Sequence, residues 1–371
     1  MNGSKYLIFR GLLFFMILGS SFGVMANAEN PDAEAHQTEE KPFEAAKHAV
    51  HHALDAHEFH FTNTLVIPLP IILWTDKGLV TFMSSAFHHD DEGGTIVEEK
   101  GMKFVKLHEK IYLLEEGATE LQLNHEDHAA ENAKQVILDF SLTKNVITMF
   151  MVAFLMIFVF IKTAKFYKKP KQEAPRGIAG FTEPVILFIK DLAAENIEGD
   201  KYKKFLPYLL TVFFFILFGN LLGLIPFLSN PNMTGSISVT LLLAAFTFII
   251  QMMNSRKTYW LHIFDPLGNS MGVAAKIPLY IILVPIEILG IFIKPAALMI
   301  RLFANITAGH IIVISLISII FVNESAWWSG LSVPMTLFIS LLELLVAFLQ
   351  AYIFTMLSAL FIGSAVESAH H

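Results

Sequence analysis

Arg301-Leu302-Phe303-Ala304-Asn305-Ile306-Thr307-Ala308-Gly309-His310 lies deep inside an almost unbroken apolar run that covers about residues 276–322. A guanidinium stays protonated at any physiological pH, so Arg301 cannot escape burial by neutralising itself. Near a bilayer centre an arginine costs at least about 2.5–3.5 kcal/mol even on the lenient insertion scale, so it is normally kept for a function. Its natural partner there is a carboxylate from another helix or subunit. The stretch therefore marks a polytopic membrane protein and a candidate component of an ion pathway.

Composition points the same way. The chain is 54% hydrophobic and only 16% charged, with 34 Phe, whereas a soluble domain is usually about 25% charged. A net charge of −7 says less than its distribution along the chain. There is no cysteine, which excludes disulfides, thiolate nucleophiles and Cys-based metal sites.

Residues 1–28 read as a signal peptide. Lys5 and Arg10 precede an apolar core at 11–25, and Ala26-Asn27-Ala28 gives a small-x-small cleavage pattern. A short N-terminal anchor helix is the alternative, and both place the next segment outside the cytoplasm. Residues 29–144 form an exported polar, acidic, His-rich region. Within it, 65–74 is apolar but carries Pro68 and Pro70, Thr75-Asp76-Lys77-Gly78 reads as a turn, and 79–82 as a returning strand. Residues 32–59 and 126–138 look helical or loosely ordered, which makes a small exported α+β appendage.

The histidines of this region invite a metal reading. His48, His51 and His52 share one helical face, with His57 and His60 just beyond. His57-Glu58-Phe59-His60, however, is one residue short of the zinc-protease spacing, and His88, His89, His125 and His128 are scattered. The region reads as a polar surface that uses histidine, with no metal or cofactor expected.

Residues 145–371 read as an all-α polytopic membrane domain of about five crossing helices. The first span, 146–161, ends in Lys162, Lys165, Lys168, Lys169 and Lys171, which marks a cytoplasmic side. Residues 180–204 are amphipathic and suit the cytoplasmic surface. A second span at 205–228 contains Gly219-Asn220-Leu221-Leu222-Gly223, a small-xxx-small spacing that permits close helix approach. A third covers 236–253, followed by the basic Arg256 and Lys257.

The fourth run, 276–322, is about 45 residues long where a span needs about 20. It reads as one bent, strongly tilted helix; two spans turning near Lys294-Pro295 is the alternative. The fifth, 331–363, is also overlong and holds a single charge, Glu343, with the amide Gln350. The two long helices are expected to form an antiparallel hairpin. His310 lies 12 residues before Val322 and Glu343 lies 13 after Gly330, so they fall at similar depth. Arg301 and Gln350 lie roughly 13 and 10 Å further in at 1.5 Å per residue. Glu287, Lys294 and Arg301 form one stripe, and His310 faces the other way. A His–Glu pair at membrane depth suits a proton relay, since imidazole titrates near neutrality; a structural hydrogen bond locking the hairpin is the plainer alternative.

From residue 145 onward the chain resembles subunit a of the rotary F-type ATP synthase. The resemblance rests on Arg301-Leu302-Phe303-Ala304-Asn305 with Ala308-Gly309, on Glu287, Lys294-Pro295 and Gln350, and on Asn220-Leu221-Leu222-Gly223-Leu224-Ile225-Pro226. In many bacterial members the positions of His310 and Glu343 hold Glu and His, exchanged relative to this chain. The resemblance implies a non-catalytic stator subunit beside a ring of c subunits, with peripheral-stalk subunit b and the remainder of the ATP synthase as partners. Protons would enter through an outer half-channel lined by His310 and Glu343 and leave through an inner one at Glu287. Arg301 would separate the two and pair with ring carboxylates, positioned by Asn305 and Gln350. The implied location is a bacterial inner membrane, with the N-terminal region exported and the C-terminus cytoplasmic. An ion-coupled secondary transporter or channel is the alternative, although the internal repeats of such proteins are not evident. There is no Gly-rich nucleotide loop, and no nucleic-acid partner is expected.

Overall fold

The computed structural model describes residues 55–60, 66–115, 117–122, 132–136, 138–168, 174–225, 233–267, 273–322 and 326–367. The expected signal peptide and His48, His51, His52, His125 and His128 lie outside the described residues.

The N-terminal part is β-rich. Strands β1 (Glu58–His60) and β2 (Val66–Pro68) pair antiparallel. β3 (Pro70–Thr75) and β4 (Gly78–Met83) form the hairpin expected from the turn sequence, with Gly78 supplying the left-handed φ of 96°. β5 (Glu92–Glu99), β6 (Met102–Leu107), β7 (Lys110–Leu114) and β8 (Ala133–Gln135) follow in order in a four-stranded sheet. β9 (Leu138–Asp139) returns to β3, giving the order β4-β3-β9. The inner faces of the two larger sheets share a core in which Ile71, Leu73, Phe87, Phe104 and Ile111 are buried.

Two expectations need correction here. Glu58 and Phe59, and Ala133–Gln135 with Leu138, form strands rather than helix or loose chain. These strands are two or three residues long, and β8 and β9 pair with partners distant in sequence, so local periodicity carries little trace of them. His57-Glu58-Phe59-His60 accordingly runs into a strand. Its first histidine is used in an ion cluster.

That cluster lies where the sheets meet the first long helix. His57 is buried, with Nδ1 3.4 Å from Glu109 Oε2 and Nε2 3.8 Å from Asp139 Oδ2. Buried Lys106 reaches Glu109 at 3.5 Å and Asp91 at 3.8 Å. Burial alone would depress the His57 pKa, but its Asp139 and Glu109 partners outweigh it and hold the imidazole at about 9. Burial would likewise raise Glu109, yet its bonds to His57 and the Lys106 charge pull it to about 2. From β9 the chain stays stitched to the sheet through Phe140 N to Ile72 O and Leu142 N to Pro70 O. It then enters α1 (Lys144–Tyr167), whose first residues bond back to Ala56 O and Asp55 Oδ1.

α2 (Ile178–Asn196) buries Ile189, Leu192 and Ala193 and accounts for most of the amphipathic segment. α3 (Tyr202–Gly223) begins a few residues earlier than the expected span, and α4 (Ile237–Asn254) is close to its expected bounds. A short α5 (Lys257–Phe264) was not anticipated. α6 (Val273–Val322) is one continuous 50-residue helix and α7 (Ser329–Val366) has 38 residues. Among the described residues, five helices are long and apolar enough to cross a membrane.

The turn considered at Pro295 does not form. α6 carries Pro278, Pro285 and Pro295 without interruption. Each proline removes one backbone bond. Ending the helix in hydrocarbon would strand several more groups with no water to take them. At 1.5 Å per residue α6 is about 75 Å long, more than twice a hydrocarbon core of about 30 Å, so it must lie strongly aslant.

The ion cluster makes a pH prediction. The raised His57 pKa contributes stability that is complete below 6.5 and lost as pH rises through about 9. The lowered Glu109 pKa contributes above 4.5 and is lost as pH falls through about 2. The melting-temperature gap between wild type and His57→Gln should therefore be widest between pH 4.5 and 6.5 and should close above about 9. A gap independent of pH would contradict the pairing.

Candidate functional site

α6 and α7 pack as the expected antiparallel hairpin: Ser332 Oγ donates to Leu316 O, and further along Glu343 meets Gly309. A Cβ added at Gly309 would stand 2.5 Å from Glu343 Oε1 and 3.3 Å from its Cδ, so the carboxyl group rests on bare backbone. This is the level anticipated for Glu343, beside the residue preceding His310. The His310 side chain lies outside the described residues.

Glu343 also lines a cavity of about 20 Å³, room for about one water molecule. Asn305 of α6, Ala347 of α7, Asn220 and Gly223 of α3, and Thr234 contribute to its wall. Asn220 is buried; its Nδ2 donates to Ala347 O at 3.3 Å, and its Oδ1 accepts from Thr234 Oγ1 at 2.5 Å. One amide thus ties α3 to α7 and to the turn before α4. Asn220 and Thr234 were not singled out from sequence as site residues. The usable signal was the amide itself, because a polar group inside an apolar span must find a partner.

The small-xxx-small spacing works differently from the expectation. Gly219 gives its space to the fully buried Met233, and Gly223 opens onto the cavity.

Arg301 is exposed on α6 and, among the described residues, makes no hydrogen bond or ion pair. Its neighbour Leu302 is buried in the helix core, so Arg301 points away from the body of the molecule. Asn305, one turn on, is exposed as well, whereas Gln350 is buried in α7. The structure brings neither amide into a hydrogen bond with Arg301. Lys294 lies over the Phe361 ring, 5.9 Å from its centroid.

Glu287 occupies the other part of α6. It is half-buried and within electrostatic reach of the Tyr259 phenol, which accepts a bond from Gln251 Nε2 at 3.1 Å. Ile291, one turn later, packs with Tyr259, Ile263 and Ala365. Glu287 and Gly309 are separated by about 33 Å of straight helix, with Arg301 between them. Two polar neighbourhoods therefore flank one unpaired cation.

Five apolar helices, with ionisable groups held at separate levels of the longest, define a polytopic α-helical membrane protein. Residues 146–363 match the family described as ATP synthase A chain, and residues 48–140 match a domain of unknown function (DUF8433). The ATP synthase subunit a of Chloroherpeton thalassium is 46% identical over 235 residues, covering 63% of this chain and 69% of that one. That of Chlorobium phaeobacteroides is 48% identical over 237 residues, with 63% and 67% covered. The subunit a 2 of Chlorobium luteolum is 46% identical over 245 residues, with 63% and 70% covered. The chain belongs to the ATP synthase subunit a family.

Thr234→Val removes the donor to Asn220 Oδ1 while keeping the shape. Leaving that buried acceptor without its partner should destabilise the protein by about 1–3 kcal/mol, read as a lower melting temperature in detergent. An unchanged melting temperature would mean that water replaces the bond.

Proposed function

We propose that the chain is the proton-conducting stator subunit of a rotary F-type ATP synthase, embedded in a bacterial inner membrane beside a ring of c subunits. One observation carries the reading. Arg301 presents an unpaired guanidinium on a face of α6 whose other exposed residues include Ile286, Ile293 and Ile300. In hydrocarbon such a charge needs a carboxylate opposite it, and this chain supplies none there among the described residues. A carboxylate on a separate subunit that passes the face meets the requirement.

The geometry supports a path in two halves. A proton arriving from outside reaches Glu343, helped by His310, and moves through the cavity beside Asn220 and Asn305 to a ring carboxylate. Neutralised, that carboxylate can turn into lipid without exposing a bare charge. After rotation, another releases its proton towards Glu287. Arg301 stabilises the ionised carboxylate between the two exchanges and repels a proton crossing directly. Asn305 and Gln350 are positioning residues in this scheme, acting once the ring is seated. Subunit b and the nucleotide-hydrolysing sector complete the partners.

Charge distribution supports the orientation. Lys162, Lys165 and Lys168 gather at the end of α1, and Arg256 and Lys257 follow α4. The positive-inside rule puts these ends in the cytoplasm, the β-rich part outside and the C-terminus inside.

Inverted vesicles carrying Arg301→Ala should show no ATP-driven acidification although blotting finds the complex assembled, and wild-type acidification should not require sodium. Undiminished pumping by the variant would overturn the mechanism. Gly309→Val should displace the Glu343 carboxyl group and slow pumping about tenfold, equivalent to about 1.4 kcal/mol on the transfer barrier. A normal rate in that variant would remove Glu343 from the path.

A further inference from the structure

The outer face of the β4-β3-β9 sheet is apolar where a solvated sheet should be polar. Its inner face alternates correctly, with Ile71, Leu73 and Val80 buried. On the other face Trp74 pairs directly with Leu79 on one side and Leu138 on the other. Ile72, paired with Thr81, continues this face, and Met83 and Phe140 extend it. Trp74 is 54% exposed, Leu79 46%, Leu138 50% and Phe140 59%. A contiguous apolar surface of this kind marks an interaction site.

Its height relative to the bilayer identifies what covers it. α1 crosses the membrane and ends in Lys162, Lys165 and Lys168. A hydrocarbon core of about 30 Å takes up about 20 residues at 1.5 Å each, and an ordinary tilt adds one or two. Counting back from Lys162, the helix takes up about 27 Å as far as Lys144, so the opposite edge of the core falls near residues 142–143. Phe140 thus stands at most about 10 Å beyond that edge at strand rise. Leu138 and Trp74 stand at most about 17 Å beyond it at strand rise, and reach the headgroup layer where the sheet leans against the bilayer. The headgroup layer occupies about 5–7 Å on each side of the core. Trp is a side chain enriched in that layer, where an apolar body and a polar N–H are both satisfied. Further along the chain α1 itself exposes Phe150 and Phe154, at 64% and 72%.

We infer that this sheet face is a membrane-apposed surface: Trp74, Leu79, Leu138 and Phe140 rest in the headgroup layer of the leaflet that α1 enters. The β-rich part is thereby a lipid-contacting collar at the mouth of the membrane domain. The inference rests on α1 crossing the bilayer and is independent of which side is exported and of the proton path.

The chain has no cysteine, so Leu79→Cys in the assembled complex gives one site on this chain for a nitroxide label, with Glu98→Cys on an exposed strand of the other sheet as the aqueous control. In proteoliposomes the Leu79 label should collide with oxygen in preference to a water-soluble nickel chelate, and the Glu98 label should do the reverse. A second readout avoids labelling the patch. In the full chain with Trp260, Trp327 and Trp328 replaced by Phe, brominated lipids should quench Trp74 roughly twofold or more, as befits a ring about 5–10 Å into the interface. A nickel-accessible Leu79 label with unquenched Trp74 would show the face in water and overturn the inference. Shielding from both oxygen and nickel, again without quenching, would show a protein partner or second copy there and overturn it equally.

Discussion

The Glu343 carboxyl group can reach the backbone of α6 only because residue 309 has no Cβ. Much of the membrane site follows from that contact. A carboxyl group at this depth needs water or a polar neighbour, and the cavity beside it provides room for about one water molecule. The wall of that cavity is held by Asn220, which bonds α7 through Ala347 and the preceding turn through Thr234. A larger residue at 309 would part α6 from α7 beside the point where the amide ties α7 to α3. Glycine here is a matter of close approach, since its place is inside an ordinary helix.

The length of α6 is the second condition. Glu287, Arg301 and Gly309 stand at three levels of the helix, and the outer two are about 33 Å apart along the axis. A span of about 20 residues could not hold all three. The helix therefore lies aslant and continues through three prolines, because the bilayer makes stopping costlier than bending. Its exposed side carries Arg301, which has no ion partner among the described residues. The cation that looks unsatisfied in one chain is what an assembly with carboxylates elsewhere would require.

Much of the membrane architecture was legible from residue types alone. Arg301, Glu343 and the lysines after the first span are conspicuous against apolar sequence, and the count that put Glu343 level with residue 310 agrees with its contact at Gly309, because helical rise is constant. The unbroken helix through Pro295 followed from topology, since a turn there would have reversed the charge rule. Other features were not local. Gly219 looked like a helix-packing glycine, but Met233 from a turn fills its space. Asn220 was visible as an amide in a span, while its partners lie 14 and 127 residues away. In the β-rich part the hairpin at Gly78 carried turn chemistry, whereas β8 and β9 are defined by long-range pairing and β1 is only three residues long, so they left almost no periodic trace.

The ion cluster at the sheet–helix junction has a geometric role that its energetics alone do not explain. Replacing a buried ion pair with apolar groups is often neutral or stabilising, so His57, Lys106, Glu109 and Asp139 need not be there for stability alone. They do fix position. Asp139 sits in β9, five residues before α1, while His57 lies beside Asp55 and Ala56, which bond the first turn of α1. The same charges thus tie one edge of the sheet to the start of the span. With no disulfide available, this tie sets the height of Trp74 and Phe140 above the hydrocarbon. An apolar sheet face serves a membrane surface only at the right height, and a directional, oppositely charged junction specifies height better than a greasy one that can slide.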